Sequence, residues 1–347
     1  MSARRAAHRS RRSRLGVLLA AVAALVAGAL LLTGCGGSAT GNEGAVNKDG
    51  SVDLSKVTLI VGDQKGGSKA LLQAAGELDD VPYKIQWQEF TSGPPLLEAL
   101  NAGSIHIGGV GNTPPLFAAA AKGEFQAVQA ATYGGTGDAI VVPKGSPIKS
   151  VSQLKGKTVG VAEGSSANYN LLAQLDKAGL KYDDVKVQNL QPADALAAFS
   201  SGHLDAWAIW EPFTSQAELE ANARILVDGS GLVNGMSFEA ANPDALKDKA
   251  TSAAIKDYLG RLAKAQLWSN THRDEWAKVW SEETGLSDAV TRRAVDRRTA
   301  KPTPISSEIT SSEQEMADAF VKAGLLPDEF DVAKFFTDDY NSSVPAA

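Results

Sequence analysis

Cysteine is nearly absent from this chain: of 347 residues, Cys35 is the sole one. No intrachain disulfide can form, and a Cys-based metal site is excluded. Histidine is almost as scarce. His8, His106, His203 and His272 stand far apart, without the spacing that metal ligation or a catalytic pair requires, and they read as solvated or core side chains. No cofactor, no metal and no catalytic residue is therefore expected. Excess positive charge is missing too, with 34 basic residues against 40 acidic ones. Such a chain has no electrostatic footprint for nucleic acid or for an anionic lipid surface. Beyond the N-terminal leader no apolar stretch approaches the roughly 20 residues of a membrane span. Stability must come from core burial, and roughly 300 residues suffice for two ordinary domains.

What is present begins at the N-terminus. A basic stub (Arg4, Arg5, Arg9, Arg11, Arg12, Arg14) leads into an apolar run from Leu15 to Leu32 and ends in Leu32-Thr33-Gly34-Cys35. This is a secretory signal peptide over residues 1–34, and its ending resembles a lipobox. Cys35 then takes a lipid and becomes the first mature residue, tethering an exported protein to the outer face of the cytoplasmic membrane. An uncut signal anchor is the alternative, since about 18 apolar residues just suffice to span; the small Gly-Cys end and the polar sequence after it favour cleavage. Ser10-Arg11-Arg12 hints at twin-arginine export. Loss of the leader leaves 28 of the basic residues against all 40 acids, a formal −12. Residues 35–55, rich in Gly, Ser and Asn without apolar period, read as a flexible tether.

From Val57 onward, short β-branched runs alternate with Ala/Leu-rich stretches, which predicts an α/β architecture with mostly parallel sheets. Strands are expected at Val57–Val61, Lys84–Phe90, His106–Val110 and Ala139–Val142, then at Thr158–Ala162, Val185–Leu190, Ala206–Trp210 and Arg224–Val227. After Pro243 the pattern is wholly helical. One α/β unit, a second, and a helical return predict two lobes: residues 56–142 begin lobe 1, 143–240 form lobe 2, and 241–347 return to lobe 1. Crossings are expected near 142 and 240.

The strand-to-helix junctions are alike. They read Asp63-Gln64-Lys65-Gly66-Gly67-Ser68, Thr91-Ser92-Gly93-Pro94, Gly111-Asn112-Thr113-Pro114, Glu163-Gly164-Ser165-Ser166 and Gln191-Pro192-Ala193-Asp194. Each offers a hydroxyl or amide cap, usually with Gly for close backbone approach. In open α/β sheets the carboxyl ends of the strands line the ligand crevice, and helix N-termini converging there hold an anion. Any single junction is an ordinary N-cap; the set, spread over both lobes, points to an anion site. Oriented amides hold an anion whatever the net charge.

The stretch from Gln64 to Phe213 resembles the substrate-binding proteins of ABC importers for aliphatic sulfonates, within the nitrate/taurine/sulfonate group. The resemblance is carried by Gln64-Lys65-Gly66-Gly67, by Glu89-Phe90-Thr91-Ser92-Gly93-Pro94 and by Gly111-Asn112-Thr113-Pro114-Pro115. In the second lobe it runs through Val142-Pro143-Lys144-Gly145-Ser146-Pro147-Ile148, Gln191-Pro192-Ala193-Asp194-Ala195 and Ile209-Trp210-Glu211-Pro212-Phe213. It implies a two-lobed, periplasmic-binding-protein-like fold (type II), each lobe a mixed sheet flanked by helices, closing hinge-wise on a small anionic ligand and delivering it to an ABC permease. It implies a monomer and no enzyme activity. The chain departs from the pattern at the glycine-rich Tyr133–Gly137, at Asn112 where an acid is expected, and at Glu211 where Asp is expected; these bear on the preferred ligand.

Candidate roles follow. Ser92, Thr113, Ser165 and Ser166 are expected to give hydroxyl or backbone contacts to a sulfonate, with Gly66 and Gly93 admitting close approach. Gln64 and Asn112 add amide donors, and Lys65 supplies a full positive charge unless it is a solvated loop lysine. Trp210 packs the ligand's alkyl chain or the core. Glu211 contacts a polar or cationic far end of the ligand, or is a structural hydrogen-bonder beside the hinge. Arg292, Arg293, Arg297 and Arg298 fall at helical spacing and read as a solvated face or a permease contact. Gly156-Lys157-Thr158 lacks the lead of a phosphate loop and reads as a turn. The favoured function is capture of aliphatic sulfonates, with taurine, nitrate or another small anion as alternatives. A ligand sensor would require a fused membrane or kinase segment, and a thiamin-pyrimidine-synthase-like enzyme a cysteine-rich segment with a nearby histidine.

Overall fold

The computed structural model describes residues 40–345; the leader, the lipobox and Cys35 lie outside them. Eleven strands run through the described residues: β1 (Thr58–Gln64), β2 (Lys84–Phe90), β3 (Ile107–Gly111), β4 (Gln126–Thr132), β5 (Ala139–Pro143), β6 (Thr158–Val161), β7 (Lys186–Asn189), β8 (Ala206–Ile209), β9 (Ala223–Asp228), β10 (Met236–Ala241) and β11 (Lys301–Thr303). They form two mixed sheets, ordered β11-β4-β10-β3-β1-β2 and β7-β6-β8-β5-β9. β1 lies parallel to both β2 and β3, while β10 runs antiparallel between β3 and β4. In the second sheet β6 is parallel to β7 and β8, and β5 is antiparallel to β8 and β9. The central strands are continuous apolar runs, as burial on both faces demands: all four residues of β8 are buried. The edge strand β2 carries exposed Lys84, Gln86 and Glu89, the polar dressing that keeps an edge from pairing further.

The lobe boundaries differ from those expected. β5 opens the second sheet, so the first crossing is 133–138 and lies ahead of that strand. β10 returns to the first sheet, so the second crossing is 229–235. β4, β10 and β11 were not expected at all. β4 and β10 are alanine-rich, which on composition alone reads as helix; their burial between neighbouring strands overrides that preference.

The stretch from Asn42 onward is also a correction, because it packs instead of forming a free tether. The Asn42 side chain is buried, donating to the Thr58 carbonyl (3.1 Å) and Thr251 Oγ1 (2.8 Å) and accepting from the Thr58 N–H (3.0 Å). Ala45 is buried beside it, and Val46 pairs with Val52 in an isolated bridge.

The helical return takes its place under lobe 1. The helix Lys249–Ser269 starts at Asp248, whose carboxylate caps the Thr251 N–H at 2.8 Å. Its buried stripe Ile255, Tyr258, Leu259 and Leu262 packs into one core with Leu59, Val61 and Leu72. Each such side chain contributes roughly 1.5–3 kcal/mol of burial. Lobe 2 has its own core around Trp207, Phe199 and Leu204.

Candidate functional site

A cavity of about 210 Å³ lies between the lobes. Its walls come from the loops at the carboxyl ends of β1, β2 and β3, from the first crossing, from the start of the helix Ser166–Lys177, from the residues just after β8, and from the C-terminal helices. This is the crevice that open α/β sheets present to ligands. The lobes meet around it. A methyl group on Gly111 would sit 3.4 Å from Ser166 Cβ, and Thr91 Oγ1 donates to Gln191 Oε1 across the cleft at 3.2 Å.

Of the residues expected to bind, Gln64, Lys65, Gly66, Gly93, Ser165, Ser166, Trp210 and Glu211 line the cavity, whereas Ser92, Asn112 and Thr113 do not. The Ser92 hydroxyl is fully buried without a partner. Thr113 Oγ1 donates to Asn112 Oδ1 (3.0 Å), and the Asn112 amide donates to Asn234 Oδ1 (2.7 Å) on the second crossing. These two residues thus tie a helix start to the hinge. Gln64 Nε2 is spent on the Gly109 carbonyl (2.8 Å).

The helix ends are unequal as anion holders. In the helix Gly93–Asn101, Pro94 and Pro95 remove two first-turn donors, and Pro114 and Pro115 do the same in the helix Thr113–Ala120. The helix Ser68–Ala74 is already occupied, since Asp63 accepts from the Ser68 N–H (2.8 Å) and the Lys69 N–H (3.1 Å). The helix Ser166–Lys177 is the open one. Ser165 Oγ caps Asn168 and donates to the Ala162 carbonyl, while the Ser166 and Ala167 N–H groups have no partner within the helix.

Gly66 has a structural role beside its place on the wall. Its φ is +71°, and a Cβ there would overlap Trp280 Nε1 at 1.3 Å; no other residue fits. Trp280 stacks on Trp276 (centroids 5.0 Å apart), and Trp276 joins Leu71, Leu262 and Val295 as an apolar wall. Trp210 lines the cavity and packs edge-on against Phe213.

The chain was then compared with known proteins. A protein-family model, NMT1/THI5 like, matches residues 88–242. An aliphatic sulfonates-binding protein of Escherichia coli (strain K12) is 37% identical over 289 residues, covering 81% of this chain and 89% of the relative. A second, from Bacillus subtilis (strain 168), is 31% identical over 319 residues, covering 89% and 91%. Among solved structures, the alkanesulfonate-binding protein SsuA from Xanthomonas axonopodis pv. citri bound to MOPS matches with a TM-score of 0.76 at 36% identity, over 81% of this chain and 98% of that one. The chain belongs to the aliphatic sulfonate-binding protein family.

Acids dominate the electrostatics of this cavity. Four acids line it: Asp63, Asp138, Glu211 and Glu239. Burial is the largest influence on each. It pushes Asp63 and Asp138 up to about 6, and Glu239, also repelled by Asp63, up to about 8. Glu211 is raised by burial and held back by Arg297. Its carboxylate accepts from the Ser215 N–H (3.1 Å), Ser215 Oγ (2.9 Å) and Arg297 Nη1 (2.9 Å), so the hinge-side hydrogen-bonding role is realised.

The arginine run is a correction. Arg297 also pairs with Glu218, and Arg293 lies 3.6 Å from the same carboxylate, fastening the helix Asp288–Asp296 to lobe 2. Arg298 lines the cavity with its guanidinium 4.1 Å from the Tyr133 ring centroid. Among the described lining residues, Lys65 and Arg298 are the cations. The sequence reading missed Arg298, Asp63 as an acceptor, Glu239, Gln266 and Trp276. Glu239 left a signal, being an acid inside the apolar run Phe238-Glu239-Ala240-Ala241; Arg298 left none, because a solvated arginine looks the same.

Proposed function

We propose that this protein is an extracytoplasmic solute-binding protein that captures aliphatic sulfonates for an ABC importer, anchored to the outer face of the membrane through lipidated Cys35 and working as a monomer. The observation that supports it best is the cavity itself, which sets Arg298 and the open N-terminus of Ser166–Lys177 beside the apolar wall of Leu71, Leu262 and Trp276. A sulfonate stays ionised at physiological pH and needs donors rather than an acid–base partner. Its alkyl chain needs apolar surface. No residue is assigned a catalytic role, since capture and release require no bond to break.

The test is thermal unfolding of purified residues 36–347 with ethanesulfonate, butanesulfonate, nitrate and sulfate. A ligand that binds only the native state at a hundredfold over its Kd adds about 2.7 kcal/mol, several degrees in Tm. The sulfonates should raise Tm and the inorganic anions should not. A flat response to both sulfonates refutes the proposal, and a response to nitrate alone favours the small-anion alternative. The anchor is tested separately: Cys35→Ala should shift the protein from membrane to soluble fractions.

A further inference from the structure

The floor of the cavity carries hydrogen-bond acceptors that no group in the protein satisfies. Glu239 stands on β10, lines the cavity at 8% exposure, and its Oε2 has no partner. Gln266, 4% exposed, donates through Nε2 to the Tyr133 hydroxyl (3.1 Å), which leaves its Oε1 unpartnered. Asp63 lies on the same wall, near enough to repel Glu239, and its own oxygens already accept from Ser68 and Lys69. Space has been left for the Glu239 carboxylate, because a Cβ on Gly109 of β3 would come within 2.8 Å of its Oε1. The other two acids of the cavity are committed, Asp138 to Ser166 Oγ (2.7 Å) and Glu211 to Ser215 and Arg297. Buried acceptors without donors are unfavourable, and Glu239 and Gln266 both line a cavity that a ligand can enter.

We propose that Glu239, together with Gln266 Oε1, forms a subsite for a protonated amine at the far end of the ligand, so that the preferred ligand is an aminoalkanesulfonate rather than a plain alkanesulfonate. This subsite rests on the sulfonate-capture reading above. Burial and the nearby Asp63 favour the protonated form of Glu239, pushing it up to about 8. An arriving ammonium supplies the missing counter-charge; Glu239 gives its proton to solvent and accepts charge-assisted hydrogen bonds from the ligand nitrogen.

Isothermal calorimetry on the purified protein tests this with 2-aminoethanesulfonate and 3-aminopropanesulfonate against ethanesulfonate, propanesulfonate and 2-hydroxyethanesulfonate. The amines should bind roughly tenfold or more tightly than the alkyl and hydroxy compounds of equal length. Glu239→Gln should erase most of that preference, with the amines losing far more affinity than the plain sulfonates. The subsite is overturned if alkyl or hydroxy compounds bind as well as the amines, or if the preference survives Glu239→Gln. Plain sulfonates binding without discrimination would sink the subsite alone; binding of none of the five would sink the capture reading and the subsite with it.

Discussion

Replacing Arg297 with alanine tests how the two lobes are fastened. The Glu211 side chain is 1% exposed and receives three donors, one of them the Arg297 guanidinium at 2.9 Å. Arg297 is itself 21% exposed and also pairs with Glu218. Breaking a fully buried pair costs about 3–5 kcal/mol, because the remaining charge stays buried and uncompensated. The partial exposure of Arg297 and the two surviving Ser215 donors put Arg297→Ala near the low end, about 3 kcal/mol. The pH dependence follows from the same contacts. Burial already raises Glu211, and Arg297 opposes that rise, so its removal raises the carboxyl further. A carboxyl whose folded pKa exceeds its unfolded value costs stability progressively as pH climbs from the unfolded value through the folded one. The deficit of Arg297→Ala should therefore be larger at pH 7.5 than at pH 5. Urea unfolding followed by tryptophan fluorescence at both pH values measures it. Glu211→Gln in the Arg297→Ala background should restore a large part of the loss. A deficit below about 1 kcal/mol at pH 7.5, or one identical at pH 5, refutes the reasoning.

Glu313 is fully buried, accepts from Asn234 Nδ2 at 2.8 Å, and is pushed by burial up to about 8. The wild-type Tm should fall as pH climbs from the ordinary carboxyl value of 4.5 to the raised value of about 8 for Glu313 and Glu239 and level off above it, and Glu313→Gln should flatten that decline in calorimetry. Arg298→Ala should weaken sulfonate binding roughly tenfold or more, because a charge-assisted contact facing the cavity is lost; titration calorimetry reads it directly. Gly66→Ala must strain a positive φ and displace Trp280 at once, so a loss of at least about 3 kcal/mol is expected in urea unfolding.

Much of the fold was legible because the lobes follow local rules. The β-branched runs of β1 and β6, and the Ser/Gly junctions after them, announce strand, cap and helix in a few residues each. β4 and β10 were hidden because their alanines favour helix; only pairing with each other and with β3 and β11 makes them strands. The crossings were misplaced for the same reason, since β5 pairs with β8 and β9 far along the chain. In the site, the junctions were legible as a set but not individually. Asp63 and Ser68 look like any cap, and only the fold shows that the cap is full. Arg298 and Glu239 reach the cavity from the helical return and from the last strand into lobe 1, separations that spacing along a chain cannot report.

The distribution of donors gives a reason for closure. Lobe 1 brings apolar surface, unsatisfied acceptors and helix ends shortened by Pro94-Pro95 and Pro114-Pro115 to a single leading N–H each. Lobe 2 brings the helix with its first donors free, led by Ser166. Arg298 comes from the segment that Arg297 fastens to lobe 2. A sulfonate resting on lobe 1 alone would find too few donors for its three oxygens, and would complete its shell only with the N–H groups at the start of the Ser166–Lys177 helix. Ligand thus interacts with the closed arrangement more strongly than with the open one, and that difference is the one source from which a ligand can shift the equilibrium. Any discrimination among ligands by their far ends would then fall to the lobe 1 floor, where Glu239 lines the cavity.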